Sequence, residues 1–347
     1  MSEPRVVGRY PYLPVTNGIL NLLTGQLVPH RYQPIPTQVS DVSFDPKASA
    51  DRFNKFLSEV LNGDEAMIAY VLRVLGYAIL GKPKEQVMFI LIGPSNNGKS
   101  TLLEVVMAIL GRDYATRLRT ETLMQKSHVN DGASPALANL AGKRLAVVAE
   151  PNANHRLDTS LVKQLTGESS MQVRGLFSDG LDMTIECCLF MTANFMPFAN
   201  AEDKGLWRRM RIIPFDRIFT PEEIDLDLKD EMIAEGSGVL NVLLGGIADY
   251  FKQGLNPPTK VSDAVDTHRQ EADAFTMFLQ ECCEFQPLEW TELKTLWASY
   301  QGWAKANSKF RTMKKAELQA RLEAKFERKT RGNLPIFIGI QLTTPSA

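Results

Sequence analysis

The chain has 347 residues and a net charge of −1, with 44% hydrophobic and 23% charged residues. This composition is typical of a globular protein of two or three domains and excludes a disordered or strongly basic chain. No apolar run reaches the roughly 18 residues that a membrane span needs, and the polar N-terminus does not resemble a signal peptide. We therefore expect a cytoplasmic protein with no membrane partner.

Residues 1–85 are predicted to form a region of short strands followed by helices. The stretch "LPVTNGILNLLTGQLVPH" indicates short strands around turns at Asn17–Gly18 and Thr24–Gly25. In "ADRFNKFLSEVLNG" the apolar spacing predicts a helix that stops at Gly63. A second helix is predicted from Asp64, its N-cap, to Gly81.

Residues 86–220 alternate apolar strands with helical segments. Continuous apolar runs separated by helices are typical of a parallel sheet covered on both faces, and we predict an α/β fold with a parallel sheet at its core. The predicted strands are Val87–Gly93, Arg144–Glu150, Cys187–Asn194 and Met210–Phe215.

Residues 221–260 are assigned to a helical linker region, and residues 261–347 to a C-terminal winged-helix domain of helices and late strands. From Lys305 to Arg331 the chain carries ten Lys and Arg against three Glu, which favours contact with DNA. The alternative is a solvated helix face, because Leu318, Leu322 and Phe326 form an apolar stripe that leaves the charges outside in any case.

The four cysteines form two adjacent pairs, Cys187–Cys188 and Cys282–Cys283. There is no Cys-x-x-Cys spacing, and the histidines are scattered. Buried thiols in a reducing compartment are therefore favoured over a structural metal site.

The stretch "GPSNNGKS" between a predicted strand and a predicted helix matches the phosphate-binding pattern called Walker A in full. Glycines let the backbone N–H groups turn towards phosphates, and the helix adds its positive N-terminal end. Lys99 is expected to reach the β- and γ-phosphates of ATP, and Ser100 to offer its hydroxyl to Mg²⁺. An incidental glycine turn is the alternative. The predicted nucleotide-binding residues are Gly93, Pro94, Ser95, Asn96, Asn97, Gly98, Lys99, Ser100 and Thr101.

Candidate catalytic residues lie at the ends of three further predicted strands. Glu150 ends a strand and can polarise water or support Mg²⁺, although a polar strand tip explains it too. Asn194 ends the next strand and can orient water or simply cap a turn. Arg208 and Arg209 precede the last strand, where they can serve a neighbouring subunit as arginine fingers or form a solvated basic turn.

Residues 172–185 have an alternating pattern around Ser178–Asp179–Gly180 that predicts a hairpin. Arg174 and Phe177 near its turn combine a cation with an aromatic ring, which suits contact with single-stranded DNA. Lys163, in the preceding "LVKQLTG", is a further DNA-binding candidate. A plain surface hairpin is the alternative.

The ordered set of Walker A, strand-Glu, "LVKQLTG…VRGLF", strand-Asn and "WRRMRIIPF" resembles the superfamily-three helicases, in the poxvirus- and phage/plasmid-type primase–helicase branch. The resemblance implies an AAA+ motor, usually a hexameric ring with ATP sites between subunits and central hairpins on single-stranded DNA. Under it, Glu150 is the Walker B acid, Asn194 is sensor 1, and Arg209 is the first choice as finger, with Arg208 next.

Two features depart from the family pattern. Ala149 precedes Glu150 and Pro151 follows it, so that one carboxylate is expected to serve where two acids are usual. Proteins of this branch often carry an upstream primase domain, for which this chain has no room. We expect the chain to be a fragment or a reduced version, with a possible primase or polymerase partner.

The resulting hypothesis is an ATP-dependent replicative DNA helicase of a virus, phage or plasmid, acting on single-stranded and forked DNA as a ring oligomer. One alternative is an ATP-switched origin-binding initiator or loader without processive unwinding. Another is a small-molecule phosphotransferase, whose ATPase activity would not respond to DNA.

Overall fold

The computed structural model describes residues 10–29, 38–125, 135–149, 157–168, 170–173, 181–197, 199, 201, 203–307 and 313–343. The strands are Tyr12–Val15 (β1), Gly18–Asn21 (β2), Leu27–Val28 (β3), Met88–Ile92 (β4), Ala115–Leu118 (β5), Leu145–Val148 (β6), Ser170–Val173 (β7), Leu181–Thr184 (β8), Cys188–Ala193 (β9), Met210–Pro214 (β10), Cys283–Glu284 (β11), Trp290–Glu292 (β12), Glu327–Arg331 (β13), Leu334–Ile338 (β14) and Gln341–Leu342 (β15). The helices are Asp51–Val60 (α1), Glu65–Ile79 (α2), Lys99–Tyr114 (α3), Pro135–Ala138 (α4), Thr159–Gly167 (α5), Lys204–Trp207 (α6), Leu228–Ala234 (α7), Gly236–Gln253 (α8), Thr259–Cys282 (α9), Leu293–Ala306 (α10) and Lys315–Glu323 (α11).

The N-terminal region contains the predicted short strands and both predicted helices. Strands β1, β2 and β3 form an antiparallel sheet in chain order. The carboxylate of Asp64 accepts a hydrogen bond from the Met67 backbone N–H at 3.1 Å, which confirms it as the N-cap of α2. Helix α8 then packs along α2.

A five-stranded parallel sheet with the order β10-β4-β9-β6-β5 forms the centre of the molecule. Four of its strands are the four predicted apolar runs, each shortened by one or more residues at its ends. Strand β5 was not predicted. It lies at the edge of the sheet, and only Ala115 and Leu118 among its four residues are buried.

Helices cover both faces of this sheet. In β4, Phe89 and Leu91 point into a core shared with α1, α2, α3 and α8, whereas Met88, Ile90 and Ile92 point into a second core shared with α5, α6 and α9. This alternation is what a strand of period two requires when it is buried on both sides. The α/β prediction is therefore confirmed at the level of a layered parallel sheet.

The C-terminal part has its own core, built around Phe278, Tyr300 and Phe337. Three helices (α9, α10 and α11) precede a hairpin, β13–β14, whose two turn residues Gly332 and Asn333 have φ of 55° and 65°. Strand β12 pairs with the other side of β14. Helix α9 begins at Thr259, shortly before the predicted domain start at residue 261.

The thiols of Cys187, Cys188 and Cys283 are buried and that of Cys282 is half-buried, and none forms a disulfide. Burial raises the pKa of Cys187 to about 12. Within the ranges given above, no helix combines the length and the apolar character that crossing a bilayer requires.

Candidate functional site

The predicted phosphate loop, residues 93–98, connects β4 to α3, and two glycines determine its path. A Cβ on Gly93 would lie 2.1 Å from the Phe215 carbonyl oxygen. Gly98 has a φ of 84° at the N-cap of α3, and a Cβ there would lie 2.5 Å from Cγ1 of Val60. Both positions therefore exclude a side chain, and the loop curls tightly over the end of the sheet.

Lys99 begins α3, and its ammonium group is enclosed by the loop. Its Nζ donates to the carbonyl oxygens of Gly93 at 2.7 Å and Pro94 at 2.8 Å, and to Asn97 Oδ1 at 2.9 Å. The residue is only 5% exposed. The loop thus fixes a positive charge among oxygen acceptors, where a phosphate oxygen can replace one of them.

Asn97 braces the loop, a role that sequence reasoning did not predict. Its Nδ2 donates to the carbonyl oxygen of Phe215, just beyond β10, at 3.0 Å, while its Oδ1 accepts from Lys99. The side chain is 2% exposed. The sequence gives no local signal for this contact, because Phe215 belongs to a distant segment.

Asn194 follows β9, the strand next to β4, and therefore lies beside the loop. Its Oδ1 is 3.3 Å from Lys99 Nζ, and its Nδ2 donates to Ser95 Oγ at 3.3 Å. The structure thus brings Asn194, Ser95 and Lys99 together. They meet because β4 and β9 are neighbouring parallel strands whose carboxyl ends lie side by side. The proposed role of Asn194 in orienting water stays a prediction.

The remaining predicted groups at this edge are partly described. Ser100 is exposed and Thr101 half-buried in the first turn of α3. Strand β6 ends at Val148 on the same edge, and Ala149 is the last described residue of that segment. Glu150 lies outside the described residues. Of the two predicted Mg²⁺ ligands, the structure describes only Ser100, whose hydroxyl is a hard oxygen ligand of the kind that Mg²⁺ prefers.

A cavity of about 820 Å³ opens beside the loop. On one side it is lined by Pro94, Ser95 and Asn194, and on the other by residues of α9, including Lys260, and of α11 with its N-cap Lys314. Its volume is within the range of small-molecule sites, and it joins the sheet edge to the C-terminal part of the chain.

Arg208 and Arg209, which we call the arginine pair, lie at the amino ends of the parallel strands. The phosphate loop lies at their carboxyl ends. The arginine pair precedes β10, which runs parallel to β4 over five paired residues, whereas the phosphate loop follows β4. At about 3.3 Å per residue the two ends are about 16 Å apart, further than an arginine side chain reaches. The pair therefore cannot contact the phosphate loop of its own chain.

The two arginines differ in exposure. Arg208 is exposed, and its Nη2 donates to Gln86 Oε1 at 2.8 Å. Arg209 is 7% exposed; its Nη1 donates to the Gly205 carbonyl at 2.7 Å and its Nη2 to Gln86 Oε1 at 3.0 Å. Burial, together with the neighbouring Arg208 charge, lowers the pKa of Arg209. Arg208 is thus the more accessible of the two.

The predicted hairpin is described at its two strands. Strands β7 and β8 pair antiparallel from Ser170–Thr184 to Val173–Leu181. Arg174 and Phe177 lie outside the described residues. Lys163, the third DNA-binding candidate, forms an ion pair with Asp203 at 2.7 Å. Partial burial opposes ionisation of Asp203, but hydrogen bonds from Lys163 and from the Leu206 N–H outweigh it and lower the pKa of this carboxyl group.

The basic C-terminal stretch is exposed along β13, where all five residues reach solvent. The guanidinium of Arg331 lies 4.5 Å from the centre of the Trp290 ring, and the ammonium of Lys325 lies 5.1 Å from that of Phe285. Cations next to partly exposed aromatic rings form a surface suited to phosphates and bases. The apolar stripe of Leu318 and Leu322 is buried, as expected for either interpretation of this stretch.

Two sequence families match parts of the chain. Residues 91–209 match a family described as "Family of unknown function (DUF5906)", and residues 6–62 match a family described as "D5 N terminal like". The first match contains the phosphate loop, Asn194 and the arginine pair.

Similar proteins come from large DNA viruses. The chain is 27% identical over 243 residues to a "Putative helicase" of Acanthamoeba polyphaga mimivirus and 25% identical over 287 residues to a "Putative helicase" of Frog virus 3 (isolate Goorha). It is 24% identical over 216 residues to a "Putative primase" of African swine fever virus (isolate Tick/Malawi/Lil 20-1/1983). These matches cover 65%, 77% and 60% of this chain but 25%, 29% and 22% of the relatives, so the chain spans about a quarter of their length.

Among solved structures, the apo structure of the C-terminal region of NrS-1 superposes with a TM-score of 0.51 at 13% identity, covering 89% of this chain and 84% of that chain. The A form apo structure of the same region gives 0.51 at 12% identity, covering 88% and 83%. This similarity concerns the fold. The chain is thus a distant relative of viral proteins named as helicases and primases, with an α/β fold compatible with a phosphate-loop core.

Proposed function

We propose that this chain is the motor part of a viral, phage or plasmid primase–helicase of superfamily three: an AAA+ ATPase that moves on single-stranded DNA and unwinds duplex DNA. One observation carries the proposal. Lys99 and Asn194 meet at one edge of the sheet, while the arginine pair lies at the other edge and cannot reach them. In this proposal a second copy of the chain supplies the arginines that complete the site for phosphoryl transfer.

In this proposal the loop residues and Lys99 bind the phosphates of ATP, with the N-terminal end of α3 directed at them. Ser100 and Glu150 would hold Mg²⁺, which supplies charge neutralisation on the phosphate oxygens. Asn194 would orient the attacking water, and Glu150 would accept its proton as the water oxygen bonds to the γ-phosphorus and the bond from this phosphorus to the bridging oxygen of ADP breaks. The cavity beside the loop is wide enough for the nucleotide to enter.

The arginine pair acts on the nucleotide of a neighbouring subunit. An arginine that reaches a transferring phosphoryl group from outside stabilises the charge of the transition state, an effect of about 10³–10⁵ in rate. The exposure of Arg208 supports its direct contact with that nucleotide, and the burial of Arg209 supports a role in holding the segment in place. A closed ring, in the family pattern a hexamer, is the assembly in which every site receives such a pair.

We assign the DNA track to the β7–β8 hairpin and expect Arg174 and Phe177, which the sequence predicts near its turn, to contact the single strand. The order of three helices followed by the β13–β14 hairpin supports a winged helix in the C-terminal part, and its exposed basic strand supports contact with the forked DNA. We place the protein in the cytoplasm and expect a primase or polymerase as its partner in replication.

The test is the steady-state ATPase rate with and without single-stranded DNA, with Lys99→Ala as the blank. Stimulation that disappears in Lys99→Ala supports the proposal, and strand displacement on a forked substrate then separates a helicase from an origin-binding loader, which would not unwind. An ATPase that ignores DNA would contradict the proposal and favour a phosphotransferase. Arg208→Ala should lose hydrolysis while it still binds ATP, because the exposed arginine acts on the nucleotide of the neighbouring subunit.

A further inference from the structure

Gln86, the second residue before β4, forms hydrogen bonds with Arg208, Arg209 and Gly167. In the proposed function the two arginines serve ATP hydrolysis, whereas Gly167 ends the helix that leads to the DNA-binding hairpin. Oε1 of Gln86 accepts hydrogen bonds from Nη2 of Arg208 at 2.8 Å and from Nη2 of Arg209 at 3.0 Å. Its Nε2 donates to the carbonyl oxygen of Gly167 at 3.4 Å. One side-chain amide therefore connects the arginine pair to the last residue of α5.

Helix α5 leads directly into the hairpin, because β7 begins at Ser170. Gly167 also lies against the arginine pair, since a Cβ on this residue would be 3.0 Å from Nη2 of Arg209. A shift of β7 along the strand direction would therefore displace the Gly167 carbonyl group, which accepts a hydrogen bond from Gln86.

A second connection runs in parallel to the first. Lys163, one turn earlier in α5, is ion-paired with Asp203 at 2.7 Å, and Asp203 is the N-cap of α6, with Oδ1 accepting from the Leu206 N–H at 3.0 Å. Helix α6 ends at Trp207, immediately before the arginine pair. Helix α5, which leads to the hairpin, and helix α6, which leads to the arginine pair, are therefore connected twice: by the Lys163–Asp203 ion pair and by the amide of Gln86.

We propose that Gln86 is a positioning residue that couples the state of the hairpin to the placement of the arginine pair, so that DNA on the hairpin of one subunit sets the arginines presented to its neighbour's nucleotide. This inference rests on the proposed function. In this proposal Gln86 acts through Arg208 and Arg209 and not by its own contact with nucleotide or DNA. The Lys163–Asp203 ion pair keeps α5 and α6 together while the amide of Gln86 transmits the shift.

The chemistry of an amide makes the proposal testable, because acceptor and donor can be separated. Gln86→Glu keeps an acceptor for both guanidiniums and strengthens it with a charge, but it loses the donor to Gly167. Gln86→Ala loses both. Gln301→Ala, at an exposed glutamine of α10, is the matched control.

The experiment measures kcat and KM for ATP with and without single-stranded DNA in all four proteins, together with their thermal melting. We expect Gln86→Glu to keep the rate without DNA and to lose at least about fivefold in stimulation by DNA, the lower end of typical coupling between sites. Gln86→Ala should lose stimulation and also lower kcat, with KM for ATP and DNA affinity within about twofold of wild type. Gln301→Ala should match wild type.

Two results would overturn the inference. Equal stimulation in wild type, Gln86→Glu and Gln86→Ala would show that the amide does not couple the two elements, while the proposed motor function stands. A wild-type ATPase without stimulation by DNA would remove the motor function and this inference with it. The melting temperatures show whether each variant is folded at the assay temperature, so that the kinetic comparison is made between folded proteins.

Discussion

Replacement of Asn97 by alanine tests whether the phosphate loop is braced from β10. The substitution removes the hydrogen bond from Nδ2 to the Phe215 carbonyl at 3.0 Å and the acceptor for Lys99 Nζ at 2.9 Å. A neutral hydrogen bond contributes about 1 kcal/mol and one to a charged group about 1.5–3 kcal/mol. Because Lys99 keeps its contacts to Gly93 and Pro94, we take the low end of the second value and expect a loss of about 2–3 kcal/mol.

Equilibrium unfolding in urea measures this loss. With an m-value of about 3 kcal/mol per molar, the midpoint of Asn97→Ala should fall by about 0.7–1 M. Asn54→Ala, at an exposed position of α1, is the control and should leave the midpoint unchanged or slightly higher, since alanine favours helix. If Asn97→Ala unfolds at the wild-type midpoint, the two hydrogen bonds do not brace the loop and the reasoning fails.

Asn97→Asp separates loop stability from phosphate binding. The carboxylate keeps an oxygen for Lys99 but cannot donate to the Phe215 carbonyl, and it adds a negative charge where phosphates are proposed to lie. A like charge at about 4 Å costs about 4 kcal/mol at an effective dielectric constant of 20. The affinity for a fluorescent ADP analogue, measured by titration, should therefore fall by more than tenfold in Asn97→Asp and by less in Asn97→Ala. Equal affinities would contradict the placement of phosphate at this loop.

Further predictions concern the ion pair, the arginines and the basic strand. An equimolar mixture of inactive Lys99→Ala and Arg208→Ala subunits should recover part of the ATPase activity, because some interfaces then combine two intact halves; no recovery would contradict action between subunits. Lys163→Ala should change DNA affinity by less than about twofold, because the ion pair with Asp203 occupies its charge. As the pKa of Asp203 is lowered in the folded protein, the stability gap between wild type and Lys163→Ala in urea should be present above about pH 4 and shrink as pH falls below it. Arg331→Ala should reduce the slope of log K against log salt for single-stranded DNA by about 0.7; an unchanged slope would remove Arg331 from the DNA contact.

The buried strands of the sheet could be predicted because their apolar runs are uninterrupted. Strand β5 could not, because its "ATRL" sequence is short and only two of its residues are buried. The order of the strands was not accessible either, since β10 and β4 pair across a long stretch of sequence. Local patterns determine which segments are strands, whereas tertiary packing determines their neighbours.

The contacts of the candidate site are likewise predictable only in part from the sequence. The sequence was sufficient to place Lys99 and Asn194 at the carboxyl ends of parallel strands. The pairing of β4 with β9, which brings the two side chains to 3.3 Å, comes from tertiary packing and was not predictable. The contacts of Asn97, Gln86 and Lys163 were not predictable, because each partner comes from a segment far away in the chain. For Lys163, a basic residue chosen as a DNA contact lies in an ion pair within its own chain.

Helix α9 has 24 residues and belongs to more than one core: Ala272 packs with the sheet, and Phe275 and Phe278 with the C-terminal helices. At 1.5 Å per residue it is a rod of about 36 Å, and a tilt of about 5° at one end displaces the other by about 3 Å. The helix thus links the parallel sheet to the C-terminal core, and any rotation of the sheet that tilted α9 would also shift the packing of Phe275 and Phe278 in that core.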